Sequence, residues 1–110
     1  MKRTREQDLQ ERRRLRQQYD ELFDATVALL FRHDPVGIIF AENRREYAPE
    51  AGTILPRLDT CHSESDVLQV VYEEFLHWFS DSAGLRERYV EIASELWGLW
   101  QASQSRHHAN

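Results

Sequence analysis

The chain has 110 residues, of which 41% are hydrophobic, and a net charge of -5. This composition suits one domain with a modest core and excludes wholesale disorder. No apolar run approaches the roughly 20 residues that span a bilayer, and no apolar segment follows the charged start, so we expect neither a membrane span nor a secretory signal. Cys61 is the only cysteine, so no internal disulfide can form and a cytoplasmic location is expected.

The charge is divided unevenly along the chain. Residues 1–16 carry seven Lys and Arg against three Asp and Glu, a net charge of +4, whereas residues 17–110 carry seven against sixteen, a net charge of -9. Such asymmetry is typical of chains that have a charged partner. We therefore predict a basic helical arm over residues 1–16, a single helical domain over 17–101 and a disordered tail over 102–110.

The first predicted element is a long helix from Arg5 to about Arg32. Thr4 and Gln7 have the spacing of a capping box, and no glycine or proline interrupts the helix. At 1.5 Å per residue it is roughly 42 Å long, which exceeds the size of a compact domain of this length, so its start should protrude or pair with another chain. A homodimer through this helix is one outcome. Nucleic-acid contact through Arg12–Arg16 is a weaker hypothesis, because no aromatic residue lies among the arginines.

The segment from His33 to Leu58 holds all three prolines and two of the four glycines, so the chain must turn there. Asp34-Pro35-Val36-Gly37 fits a β-turn of type I. Ile38–Phe40 is predicted to be extended, either lying across the helices or pairing with its copy in a dimer. A short, kinked helix is predicted from about Pro49 to Leu58.

The same segment resembles a family pattern. His33-Asp34-Pro35-Val36-Gly37-Ile38, followed by Glu46-Tyr47 and by Pro49-Glu50, is similar to the sequence between helices in the YugE-like family of small bacterial proteins of uncharacterised function. The resemblance covers residues 20–100 and departs from the family pattern at Ala48, where aspartate is expected. It implies an all-α fold and no catalytic residue.

Two further helices are predicted after a polar joint. The third begins at a cap formed by Ser63 and Asp66, with Ser65 as a competing cap, and runs to about Phe79 with a wide apolar face. The fourth begins near Ser82 and ends near Trp100. The fold prediction is therefore all-α: a small three- to four-helix bundle with a long N-terminal helix and an irregular extended segment between helices 1 and 2.

Candidate catalytic and metal-binding groups are few. Glu74 and His77 have the Glu-x-x-His spacing of di-iron ligands, but such a site needs that motif on two helices, and the chain has it once. Cys61 next to His62 lacks a third group to orient it for nucleophilic catalysis. We therefore predict no metal, no cofactor and no enzymatic activity. A small metal-dependent or hydrolytic enzyme using Glu74 and His77 is the alternative hypothesis.

Protein binding is the function class that remains. The predicted partner-binding residues are a row of glutamates on the fourth helix and three residues of the loop before the second: Glu87, Glu91, Glu95, Arg44, Arg45 and Tyr47. We predict a non-enzymatic module of the immunity-protein or antitoxin type that engages a basic protein partner through an acidic surface. Complementarity of this kind mainly accelerates association and selects partners. A solvated face without a partner is the alternative for the glutamate row.

Overall fold

The computed structural model describes residues 5–37 and 46–108, and this part of the chain contains four α-helices and no strand. The prediction of a small all-α bundle is confirmed. The α-helices are α1 (Arg5–His33), α2 (Ala48–Ile54), α3 (Glu64–Phe79) and α4 (Val90–His108), and the 3₁₀-helices are Leu55–Thr60, Ser80–Ala83 and Arg86–Tyr89. None of these described helices combines the length and the hydropathy of a membrane span.

The two halves of α1 have different surroundings. Its second half contributes Leu22, Val27 and Leu30 to the core. In its first half, every described side chain within Gln7–Gln17 is exposed. The molecule is accordingly elongated, measuring 54 × 32 × 20 Å along its principal axes. The first half of α1 therefore protrudes from the body, as its length predicts.

The turn predicted at Asp34-Pro35-Val36-Gly37 is confirmed. The Gly37 amide donates to the Asp34 carbonyl at 3.2 Å and closes the turn. Asp34 has a φ of 44°, and its amide donates to the Leu30 carbonyl at 2.8 Å, so α1 ends in a left-handed residue. Gly37 also has a positive φ, of 65°, which glycine adopts without steric cost.

The short helix after the turn consists of two joined segments. α2 begins at Ala48 with Pro49 in its first turn, a position where the missing N–H of proline costs nothing. The chain then continues as the 3₁₀-helix Leu55–Thr60, because Pro56 cannot donate the α-helical hydrogen bond. The predicted short helix is thus confirmed as two consecutive helical segments, while its predicted kink stays a prediction. The extended run predicted at Ile38–Phe40 lies outside the described residues.

α3 is a capped helix with a fully buried apolar face. Ser63 is its N-cap, and the Ser63 hydroxyl accepts from the Asp66 amide at 3.1 Å, as the capping spacing predicts. Val67, Val71 and Phe75 are fully buried, and α3 contacts both α2 and α4. The wide apolar face predicted for the third helix is thus buried between α2 and α4; α1 likewise contacts both of these helices, so the central position of the third helix stays a prediction.

α4 begins later than predicted. Two 3₁₀-helices follow α3, and the α-helix starts at Val90 rather than near Ser82. The side chain of Arg88 supports this irregular joint by donating to the carbonyls of Pro35, Ser82 and Ala83 at 2.9, 3.4 and 3.3 Å. Carbonyl groups that would lack helical partners are thereby satisfied, and the joint is tied to the turn after α1.

α4 also ends later than predicted. It continues to His108, and Ser103 is buried, with 7% of its surface exposed. Tyr19 of α1 lines the same groove as Trp100 and Ser103 of α4. The end of α4 therefore packs beside α1, and this contact supports the helix beyond Trp100. This corrects the predicted disordered tail for residues 102–108.

Candidate functional site

The glutamate row predicted on the fourth helix is divided between two elements. Glu87 lies in the 3₁₀-helix Arg86–Tyr89, whereas Glu91 and Glu95 lie in α4. Glu87 and Glu91 are exposed. Glu95 is turned toward α1 and is engaged there, so the three carboxylates do not form one open row.

Glu95 forms a salt-bridge cluster with the last turn of α1. Its two carboxylate oxygens accept from the guanidinium of Arg32 at 3.2 and 2.8 Å, and Oε2 lies 3.3 Å from Nε2 of His33. The hydrogen bonds that the Glu95 carboxylate accepts from Arg32, and then the one that it accepts from His33, hold the pKa of Glu95 below its ordinary value. The charge of Glu95 is thus paired within the molecule, while 39% of its side chain is exposed, and its assignment as a partner-binding residue stays a prediction.

Two large apolar side chains accompany the exposed glutamates. Leu85 is 74% exposed and Val90 is 44% exposed. We call Leu85, Glu87, Val90 and Glu91 the 85–91 patch. The sequence pattern missed Leu85, because a helix beginning near Ser82 would turn this side chain inward. In the structure Leu85 is extended, with φ -84° and ψ 153°, and precedes the 3₁₀-helix.

The 85–91 patch rests on a fixed support. Tyr89, within the same stretch, is fully buried, and its hydroxyl donates to the Ala83 carbonyl. Burial raises the pKa of Tyr89, so the hydroxyl stays protonated as a donor. Together with the bond from Arg88 to the Pro35 carbonyl, this contact holds the backbone beneath the patch in place.

Tyr47 is a core residue. It has no exposed surface, its hydroxyl donates to Oδ1 of Asp34 at 2.7 Å, and the amide of Val36 donates to that hydroxyl at 3.3 Å. It therefore joins the turn after α1 to the start of α2, and its assignment as a partner-binding residue is corrected. Arg44 and Arg45, which were predicted with it, lie outside the described residues.

Glu74 and His77 do not form a metal site. Glu74 accepts from Arg57 at 2.9 Å, and the adjacent Glu73 accepts from the same guanidinium at 2.7 Å. His77 is exposed, and its ring meets Trp78 edge to face. Over residues 5–37 and 46–108, no group of three or more His, Cys, Asp or Glu is placed to hold a metal ion. The carboxylate that the alternative hypothesis requires is engaged in an ion pair.

Cys61 lacks the surroundings of a catalytic nucleophile. It is buried, and its Sγ contacts the Arg57 carbonyl at 3.8 Å. Burial raises the pKa of the thiol, and the charge of Asp66 raises it further. A raised pKa disfavours the reactive thiolate, so Cys61 serves the core.

Glu50 is a buried carboxylate with an unsatisfied oxygen. It lies in the first turn of α2 with 4% of its surface exposed, and within the described part of the chain its Oε2 has no hydrogen-bond partner. Burial is the main cause that raises the pKa of Glu50, and the nearby charge of Glu46 adds to the shift. Ionised Glu50 therefore costs folding free energy.

The fold and its surfaces define a small all-α helical bundle. Comparison of the chain with protein-family models, with curated proteins and with solved structures gives no match. The resemblance of the segment around Asp34 to the YugE-like family stays a prediction. Function is therefore argued from the surfaces of the molecule alone.

Proposed function

We propose that this protein is a non-enzymatic protein-binding module, of the immunity-protein or antitoxin type, that engages a basic partner through the 85–91 patch. The observation that carries the proposal is the exposure of Leu85, at 74%, beside the exposed Glu87 and Glu91. Leu85 is the most exposed of the large apolar side chains that the structure describes, and an apolar side chain of this kind can be covered by a partner. Leu85 and Val90 supply apolar contact, and Glu87 and Glu91 offer carboxylates to basic side chains of the partner. Arg86 and Arg88 are exposed in the same stretch, so the preference for a basic partner comes from the acidic remainder of the bundle.

The overall charge supports a basic partner. Residues 17–110 carry a net charge of -9, and a field of this sign steers a positively charged protein toward the bundle. A stable interface covers about 800 Å² on each partner, so the 85–91 patch is the centre of a larger contact rather than all of it. A cytoplasmic location belongs to the same proposal.

The enzymatic alternative has no specific support in the described residues. Glu74 is ion-paired with Arg57, and the thiol of Cys61 is buried. No observation there favours a metal-dependent or hydrolytic activity over binding. The non-enzymatic assignment accordingly remains part of the proposal.

Affinity purification with patch variants tests the proposal. The tagged protein and its Leu85→Ala and Glu87→Lys/Glu91→Lys variants are used as baits, and the retained proteins are quantified by mass spectrometry. Leu9→Ala is the matched control, because Leu9 is also an exposed leucine, at 45%, but lies on the protruding half of α1. A basic protein should be retained by the wild type and by the control and lost with both patch variants.

The captured partner then permits a kinetic measurement. Raising salt from ~50 to ~500 mM shortens the Debye length severalfold, so association should slow markedly. Equal retention of the partner by the wild type and by both patch variants would show that the 85–91 patch is merely solvated.

A further inference from the structure

One face of α1 carries a charge pattern that reverses at Gln17. The residues spaced three, four and seven positions from Gln17 share its helix face. All of the described members of this face are exposed: Gln10, Arg13, Arg14, Gln17, Asp20, Glu21 and Asp24. We call these residues the α1 stripe. Its arginines precede Gln17 and its carboxylates follow.

The α1 stripe is not used to build the core. The core side chains of this helix, among them Leu22 and Leu30, lie on the opposite side. Within the stripe the side chain of Gln17 donates to Glu21 at 3.4 Å, a local contact between exposed residues. Asp20 and Asp24 are like charges four positions apart, a spacing that mildly destabilises an isolated helix. The stripe is therefore an outward surface that carries charges of both signs.

We propose that the α1 stripe binds a second copy of the chain, with the two α1 helices antiparallel about a two-fold axis at Gln17. In this register Arg13 of each copy lies opposite Asp20 of the other, and Arg14 lies opposite Glu21. The two-fold symmetry repeats both pairs, giving four opposite-charge pairs in one self-complementary interface. The protruding first half of α1 thereby gains a partner.

The charge pattern favours a second copy over a nucleic acid. A phosphate backbone would be attracted by Arg13 and Arg14 but repelled by Asp20, Glu21 and Asp24 on the same face. An antiparallel second copy of the stripe places carboxylates opposite the arginines and arginines opposite the carboxylates. On the larger scale, the arm at +4 and the remainder at -9 also attract one another between copies. Exposed charge pairs contribute little individually, so the dimer is weak and sensitive to salt.

The dimer does not depend on the proposed function. Arg88, in the stretch of the 85–91 patch, contacts the Pro35 carbonyl at the far end of α1. Asp24, the stripe residue nearest to this turn, lies eleven positions before Pro35, which is roughly 16 Å at 1.5 Å per residue. The 85–91 patch and the α1 stripe are formed by different residues, so substitutions in one surface leave the other in place.

Two charge-reversal variants, measured separately and then mixed, test the proposed pairing. We compare the wild type with Arg13→Glu/Arg14→Glu and with Asp20→Arg/Glu21→Arg, using sedimentation equilibrium at low salt. Each variant places like charges opposite one another, so its dissociation constant should rise about tenfold or more. An equimolar mixture of the two variants restores all four opposite-charge pairs, so heterodimers should form.

The mixture also separates loss of pairing from loss of folding, because misfolded variants would not recombine. Arg86→Glu reverses an exposed arginine away from the α1 stripe and is the matched control. Its average molecular mass in sedimentation equilibrium should equal that of the wild type. A wild type that stays monomeric at its highest soluble concentration would overturn the proposal. So would a dimer whose dissociation constant neither variant changes.

Discussion

Glu50 and Glu95 are two carboxylates whose pKa values are shifted in opposite directions by their surroundings. Burial raises the pKa of Glu50, whereas hydrogen bonds accepted from Arg32 and His33 lower that of Glu95. A carboxyl group with a raised folded-state pKa destabilises the protein when it ionises, and one with a lowered pKa stabilises it. The two residues therefore give opposite slopes to stability against pH.

Replacing Glu50 with glutamine removes the buried charge. In the wild type, the free energy of unfolding falls as pH rises from the ordinary glutamate pKa of about 4.3 through the raised folded-state pKa of Glu50. Above the folded-state pKa this loss of stability stays constant. Glu50→Gln should therefore unfold at a higher urea concentration than the wild type at neutral pH, and at nearly the same concentration in acid. A less stable variant at neutral pH would mean that the ionised carboxylate is stabilised by its surroundings.

Replacing Glu95 with glutamine should have the opposite effect. The contribution of Glu95 is present above the ordinary glutamate pKa and is lost as pH falls through the lowered folded-state pKa. Glu95→Gln should be modestly less stable than the wild type at neutral pH, with the difference shrinking in acid and in high salt. Glu91→Gln, one turn earlier and exposed, is the control, and a loss of stability equal to that of Glu95→Gln would exclude a specific role for the pair with Arg32.

At the scale of elements, the structure follows the sequence where the deciding chemistry is local. The cap at Ser63 and the turn ending at Gly37 are encoded by neighbouring residues, so their spacing alone predicts them. The start of α4 depends on hydrogen bonds from Arg88 to residues as far away as Pro35. The engagement of Glu95 likewise depends on a partner 63 positions away. The spacing of apolar residues along one helix predicts neither of these two contacts.

The turn after α1 can be tested with a pair of glycine substitutions. Gly37 has a φ of 65°, and a Cβ added there would meet nothing within 4 Å, so Gly37→Ala isolates the backbone strain, about 1–2 kcal/mol of destabilisation. Gly98 lies within α4, where an added Cβ would also meet nothing. Gly98→Ala should stabilise the protein by about 0.5–1 kcal/mol. Equal effects of the two changes on chemical denaturation would contradict the left-handed turn.

At the scale of the whole molecule, the two interaction surfaces lie at different positions along α1. The α1 stripe is centred on Gln17 and extends from the protruding half to Asp24, and the 85–91 patch is beside the turn that ends the helix. Between them lies a groove of about 520 Å³ on the α1–α4 side, lined in part by Ala25, Ala28 and Gly98. The sequence indicates the charge asymmetry behind this arrangement. It could not indicate that Leu85 faces solvent while Tyr47 is buried, because both depend on how distant elements pack.

The location of the partner on the bundle is the most direct test of the binding function. Addition of the captured basic partner to the isotopically labelled protein should shift the backbone amide resonances of residues 85–91 most strongly, while those of α3 in the core change little. Arg32 and the remainder of the α1–α4 groove should change less than the 85–91 patch. Shifts concentrated in the groove, with the resonances of Leu85 and Glu87 unchanged, would contradict the account.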